Sequence, residues 1–418
     1  MARAHPCRPP PFPPLLLLLL RPRFFSANIP GMTRKRKEKD YERLVDLEKP
    51  YKKMMALKDL LLKEPENVLS LAELDRCRSP SRDRFRSIIV KHPGFFKLYK
   101  DEDQNLWCGF QPHAQLLVER EQALRRRYES ISVQNLRKLL MMSVNRRLRV
   151  PKIAQLRKDL GFPVDFHSRL VYSYPQYFRV VEEPKCNGNE DGPLLELTSW
   201  DPSLAITSLE VRARERGELN SEGEPMFKMC VSQSLKLSEK QQEGMARFQE
   251  RPFISPYADT KDFNANTLEF EKRQVALVHE ILSMTLEKKI LFDYLTHFRK
   301  EYRLPQNLLA MVIRHHSIFY VSRKGGRFVV FLKEAYDGTN LVHKNEWILL
   351  KEEYAGLMDG KKPPRSEENR FIERSTCLHK NNNNVATTGV LSDEDEGAEL
   401  HALVGLLKNI KEEDVDHH

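Results

Sequence analysis

Apolar residues recur three and four positions apart in three separate stretches, as one buried face of an α-helix requires. Leu71, Leu74 and Cys77 make the first set, Ile153, Leu156 and Leu160 the second, and Leu291, Leu295 and Phe298 the third. After each set come a turn and a second apolar helical run that closes on a similar phrase: IIVKHPGFF at 88–96, LVYSYPQYF at 170–178 and MVIRHHSIF at 311–319. Proline in the first two phrases disfavours helix at the residue before it, so the helix is expected to stop there. Short aromatic and β-branched runs follow, FFKLY with LWCGF, YFRVV with LLELTSW, and IFYVS with RFVVFL. In the third copy RKGG supplies a glycine turn suited to a hairpin. The unit is about 35–45 residues long, a length at which a recurring supersecondary element is expected. Its copies are unevenly spaced, which argues against a stacked solenoid.

The predicted class is mainly α with short β-hairpins (α+β). Three winged-helix-like units, each helix, turn, helix and hairpin, are expected near 65–110, 150–200 and 287–337, joined by longer helices. In a half-buried hairpin alternate side chains face inward, so Phe96, Phe178 and Phe319 are expected in the core.

Charge turns the question from fold to partner. The 418-residue chain carries 69 Lys and Arg against 59 Asp and Glu, a formal net charge of +10. Residues 365–418 hold 6 basic and 12 acidic residues, which leaves 63 against 47, or +16, in the rest. Within 119–158 there are 12 basic and 3 acidic residues. Such a density attracts a polyphosphate and makes binding depend on salt. The candidate contact residues in this stretch are Arg125, Arg126, Arg127, Arg137, Lys138, Arg146, Arg147, Arg149, Lys152, Arg157 and Lys158. The plainer reading is a solvated face outside a core stripe of Leu136, Leu139, Leu140, Met142 and Val144. A solvated face usually mixes both signs, however, and this one scarcely does. Met141 and Met142 are assigned to packing.

Catalytic patterns are missing. No G-x-x-x-x-G-K-[ST], G-x-S-x-G or H-E-x-x-H occurs, although His279-Glu280 begins the last of these. KGGRF at 324–328 precedes a strand and reads as a hairpin turn rather than a phosphate cradle. The six cysteines are solitary, with no C-x-x-C spacing, and the adjacent His315 and His316 point in different directions on a helix. SDEDEGAEL at 392–400 lacks the spacing of a calcium loop. No enzymatic activity, metal or cofactor is expected.

The first acidic residue is Glu38, whereas Arg3, Arg8, Arg21, Arg23, Arg34 and Arg36 precede it, the composition of an organelle transit peptide. The six leucines at 15–20 follow a run of prolines and are short for a secretory core. The expected organisation is a transit peptide at 1–25, an N-terminal half at 35–213, a C-terminal half at 226–365, and a disordered acidic tail at 366–418. RERGELNSEGEPMF at 214–227 is read as a hinge between the halves, and EEPKCNGNEDGP at 182–193 as a hairpin loop.

LRKLLMMSVNRRLRVPKIAQLRKDLGFPVDF, YPQYFRVVE, LELTSWDPSLAIT, FISPYAD, EKRQVALVHEILSMTLEKKILFDYL and SIFYVSRKGGRFVVFLKEAY, taken together, resemble the plant organelle RNA recognition family across approximately Lys35 to Lys362. The chain departs from the usual pattern at CRSPSRDRF and at His316, where proline is expected. The resemblance implies a protein imported into mitochondria or chloroplasts that binds intron-containing RNA and promotes group II intron splicing, and it supplies no catalytic residues. Other splicing factors are candidate partners; a membrane is not. RPRFFSAN carries an Arg-x-Phe-Ser context around Arg23, Phe25 and Ser26 that resembles mitochondrial processing sites, so mitochondria are expected ahead of chloroplasts. The competing hypothesis is a DNA-binding winged-helix protein of organelle or nucleus, since helix-turn-helix elements do not choose between the two nucleic acids.

Overall fold

Helix, short strand, helix, helix, strand, strand is an order that the chain follows three times. The computed structural model describes residues 37–76, 85–102, 104–181, 192–232, 237–259, 263 and 267–360. The leader, most of the 182–193 loop, the acidic tail, Cys7, Cys77, Cys186 and Cys377 lie outside the described residues. The first repeat comprises α1 (Lys39–Leu61), β1 (Leu69–Ser70), α2 (Leu71–Arg76), α3 (Phe85–Lys91), β2 (Phe96–Lys100) and β3 (Leu106–Phe110). After α4 (Pro112–Arg127), the second comprises α5 (Glu129–Met142), β4 (Arg147–Arg149), α6 (Val150–Leu160), a π-helical turn (His167–Val171), β5 (Phe178–Val181) and β6 (Leu194–Leu197). Helices α7 (Ser208–Arg216) and α8 (Glu239–Glu250) lead to the third. It comprises α9 (Leu268–Met284), β7 (Lys289–Leu291), α10 (Phe292–His297), α11 (Leu308–Arg314), β8 (Phe319–Ser322) and β9 (Val329–Leu332). A small hairpin, β10 (Tyr336–Asp337) with β11 (Asn340–Leu341), and α12 (Glu346–Met358) complete the described chain.

The class is therefore mixed: helices with small antiparallel sheets. Each expected two-stranded hairpin gains a third strand of two or three residues, giving sheets ordered β1–β3–β2, β4–β6–β5 and β7–β9–β8. Leu291 accordingly ends β7, and the helix it was expected to join begins at Phe292.

The repetition reaches individual hydrogen bonds. The amides of Phe96, Phe178 and Phe319 donate to the carbonyls of His92, Tyr174 and His315 at 3.2, 3.2 and 3.0 Å. Those of Gln111, Thr198 and Lys333 donate to Phe95, Tyr177 and Ile318 at 3.0, 2.9 and 2.9 Å. Phe96, Phe178 and Phe319 open the second strand of each repeat and are all buried, as the alternation argument requires. Two residues ahead of buried Leu69, Leu148 and Ile290, the chain turns into its first strand through a left-handed residue: Asn67 (φ 58°), Arg146 (φ 53°) and Lys288 (φ 52°).

Apolar burial joins the repeats. The larger core draws on α5, α6, α9, α11 and their sheets, and includes Leu136, Leu139, Leu140, Met141 and Met142. A second core unites Met54, Leu57 and Leu61 of α1 with Ile88, Ile89, Phe95 and Phe96, and with Leu350, Tyr354 and Leu357 of α12. The first half of α1 belongs elsewhere. Its Tyr41 and Val45 pack on Tyr320, Val329 and Phe331, on the face of β7–β9–β8 opposite Ile290 and Val330. Tyr41 stacks on Tyr320 at 4.6 Å, Tyr320 donates to Glu42 at 2.8 Å, and Glu48 pairs with Lys289 at 3.0 Å. Within 214–227, Leu219 bridges Pro225 and Phe227 is buried against Phe248.

Candidate nucleic-acid interface

The structure divides the basic stretch among α4, α5, β4 and α6. Arg125, Arg126 and Arg127 fill the last turn of α4, where the helix dipole favours positive charge. Arg125 reaches Glu121 at 2.5 Å and Arg127 reaches Glu346 at 2.6 Å. Arg126 is exposed and makes no ion pair among the described residues. Arg137 and Lys138, on α5, turn inward. Arg137 is 7% exposed, donates to Asp201 at 3.0 Å and lies over the ring of Tyr177 at 4.1 Å. Lys138 donates to Glu280 and to the carbonyl of Ile206, both at 3.1 Å. On α6, Lys152 pairs with Glu301, Lys158 lies 3.7 Å from Asp59, and Arg157 donates to the carbonyl of Val164 at 3.2 Å.

Arg146, Arg147 and Arg149 come together at one sheet. Alternation along β4 sends Leu148 into the core with Leu195 and sends Arg147 and Arg149 to the opposite face. There the register sets Arg147 beside Glu196 and Glu196 beside Arg179. Glu196 accepts from Arg147 at 3.0 Å and from Arg179 at 2.6 Å, and these two hydrogen bonds hold its carboxyl below the ordinary carboxylate range. Arg147 and Arg179 thus share Glu196, and Arg149, on the same face, donates to the carbonyl of Gly192 at 3.1 Å. At the end of the sheet, where β4 begins and β6 finishes, the guanidinium of Arg146 lies 4.8 Å from the ring of Trp200. The corresponding face of the third repeat is the one covered by α1. Arg179 and Trp200 escaped the charge argument because each lies well outside 119–158.

The polar clusters elsewhere tie elements of the fold together. Ser283 lies 3.4 Å from Nδ1 of His279, whose Nε2 is 2.7 Å from Glu334, an order that superficially suits a nucleophile, base and acid. His279 is 1% exposed and shares α9 with Ser283, while Glu334 also pairs with Arg212. Burial would raise the Glu334 carboxyl, but His279 and Arg212 overcome it and hold it at about 2. The set fastens α9 and α7 to the turn at 333–335. Glu280 likewise accepts from Tyr257 at 2.9 Å and from the Ser208 amide at 2.7 Å. His315 is 3.1 Å from Glu271, a packing role at the end of α11. Among the described residues no group of three or more His, Cys, Asp or Glu could hold a metal, and no helix is long and apolar enough to cross a membrane.

A family model described as the plant organelle RNA recognition domain matches residues 36–363, which span all three repeats. The chain belongs to the plant organelle RNA recognition family. It is 37% identical to Protein WHAT'S THIS FACTOR 1 homolog, chloroplastic, of Oryza sativa subsp. japonica, over 97% of this chain and 82% of that protein. It is 40% identical to Protein WHAT'S THIS FACTOR 1, chloroplastic, of Zea mays, over 79% of this chain and 68% of that one. A more distant relative, at 24% over 73% of this chain and 79% of its own length, is Protein WHAT'S THIS FACTOR 9, mitochondrial, of Arabidopsis thaliana. No solved structure matches the chain. The family match and the arginine face of β4–β6–β5 thus fall on the same segment.

Proposed function

We propose that this chain binds intron-containing organellar RNA and promotes group II intron splicing, by binding and positioning RNA rather than by catalysis. The family match across 36–363 carries this reading, and the exposed arginines of β4–β6–β5 give it a physical means. In the same reading the three repeats are winged-helix-like units, supported by their shared strand order and turn geometry. The eleven basic residues of 125–158 then divide by task. Arg126, Arg146, Arg147 and Arg149 meet phosphates, whereas Arg137 and Lys138 hold α5 against Asp201 and Glu280. The N-terminal and C-terminal halves, 35–213 and 226–365, are proposed to act as one RNA-binding body.

Crosslinking in plant organelles followed by sequencing of the bound nucleic acid tests the proposal. Enrichment of intron-containing transcripts is expected, and recovery of DNA alone would favour the DNA-binding alternative. Import into an organelle is part of the same reading. Arg23, Phe25 and Ser26 favour mitochondria, while the two relatives of higher identity carry chloroplastic in their names. Residues 1–40 fused to a fluorescent reporter should deliver it to mitochondria, and accumulation in plastids would reverse that assignment.

A further inference from the structure

We propose that Arg146 and Trp200, at the end of sheet β4–β6–β5, form a stacking site for an unpaired RNA base, with Arg147, Arg149 and Arg179 taking the flanking phosphates. This rests on the RNA-binding reading and adds to it the subsite and the strandedness of the RNA.

Comparison of the repeats singles out this place. The shared hydrogen bonds align Tyr177 with Phe95 and Ile318, which are 0% and 1% exposed. Tyr177 makes the same backbone bonds yet stays half-buried, with the guanidinium of Arg137 over its ring and Tyr174 nearly parallel to it, 6.3 Å away at 14°. By the same alignment Trp200 replaces His113 and Ala335. The second repeat therefore carries a half-buried ring at both places, where the other two carry a buried side chain at the first and a smaller side chain at the second.

Arg146 occupies the left-handed turn position that Asn67 fills in the first repeat. Glycine or asparagine is at home in that conformation, and a long side chain there is strained. Arg146 is exposed, lies over Trp200 and makes no ion pair among the described residues. The equivalent Lys288 of the third repeat turns back to donate to the carbonyl of Ser283, whereas Arg146 has only the Trp200 ring beside it among the contacts described. A guanidinium plane supported by a ring on one side offers its other side to a base. On the adjoining face Arg147 and Arg179 share the carboxylate of Glu196, so this trio keeps a positive charge that complements a polyanion. Duplex RNA keeps its bases stacked on one another and presents backbone and 2′-hydroxyls, so this platform selects an unpaired strand.

The test uses the full chain, a labelled oligouridylate, a duplex RNA of equal length and a base-free ribose-phosphate strand. Arg146→Gly removes the guanidinium and relieves the turn, so the melting temperature should hold or rise while oligouridylate affinity falls about fivefold or more. On the base-free strand the loss should be clearly smaller. Lys288→Gly makes the same backbone change in the third repeat and should leave oligouridylate affinity unchanged. If wild type binds oligouridylate and Arg146→Gly binds it equally well, or loses affinity only in step with melting temperature, the stacking site is overturned and the RNA-binding reading stands. If wild type binds neither single strand nor duplex, that reading itself fails.

Discussion

Asp159, on α6, is a carboxylic acid whose charged form the fold disfavours. Burial, followed by the nearby carboxylates of Glu287 and Glu48, pushes its carboxyl up to about 7. Between the ordinary carboxylate range and pH 7 the folded chain consequently holds a proton that the unfolded chain has released, so stability falls as pH rises through that window. The cost is absent below about pH 4 and complete above about pH 7, with an upper bound of roughly 4 kcal/mol. Asp159→Asn should leave thermal stability nearly unchanged at pH 4 and raise it at pH 8. Equal melting temperatures for wild type and variant at pH 8 would show that solvent or lysines relieve the charge. Other charges show what one-dimensional counting leaves out. The run at 119–158 includes Arg147 and Arg149, which lie on the outer face of their sheet, but Arg137 and Lys138 find their carboxylates on Asp201 and Glu280, both distant in sequence. Net charge over a window carries no information about partners outside it.

Helix α1 serves two cores, and Pro50 sits between its two sets of contacts. Proline removes the amide that would bond back to the Asp46 carbonyl, so the helix is locally weakened at that point. Tyr41 and Val45 precede it and cover β7–β9–β8, while Met54, Leu57 and Leu61 follow it and enter the core of the first repeat. Tyr41→Ala should cost about 3 kcal/mol in urea unfolding, the range for truncating a buried aromatic. Breaking the ion pair between Asp46 and Lys324, whose side chains are 44% and 39% exposed, should cost far less, because water screens it. If Lys324→Ala cost as much as Tyr41→Ala, the helix would be held by charge rather than by packing. The paired helices and hairpins were legible because each obeys a clear period and ends at a turn. Strands β1, β4 and β7 were not, since two or three residues cannot display alternation, and their pairing is decided by partners some 35–50 positions away. The docking of α1 on the third repeat was equally hidden, because no local pattern in 39–48 names a surface near 320.

At the scale of the molecule the three repeats are unequal in charge and in cover. The outer face of the third sheet is closed by α1, whereas that of the second carries Arg147 and Arg179, with side chains 41% and 65% exposed, on either side of Glu196. Long-range attraction from the net positive charge should draw RNA to the protein, and this face should determine where it settles. Three substitutions separate those roles. Arg147→Gln with Arg179→Gln should weaken binding of intron RNA and flatten the log–log salt dependence by about 1.4, at about 0.7 for each lost contact to a single strand. Arg126→Gln with Arg127→Gln removes equal charge from the end of α4 and should flatten it less, because Glu346 offsets Arg127 alone whereas Arg147 and Arg179 share the one carboxylate of Glu196. Glu196→Gln removes the carboxylate that Arg147 and Arg179 share and releases both arginines, so affinity should rise at low salt. A general electrostatic effect would make the two double variants alike and reward any lost carboxylate equally; Glu353→Gln, whose partner Arg120 lies on α4, supplies that comparison. Binding governed by the β4–β6–β5 face requires Glu196→Gln to exceed Glu353→Gln, and equal gains from the two would move the RNA surface away from the second repeat.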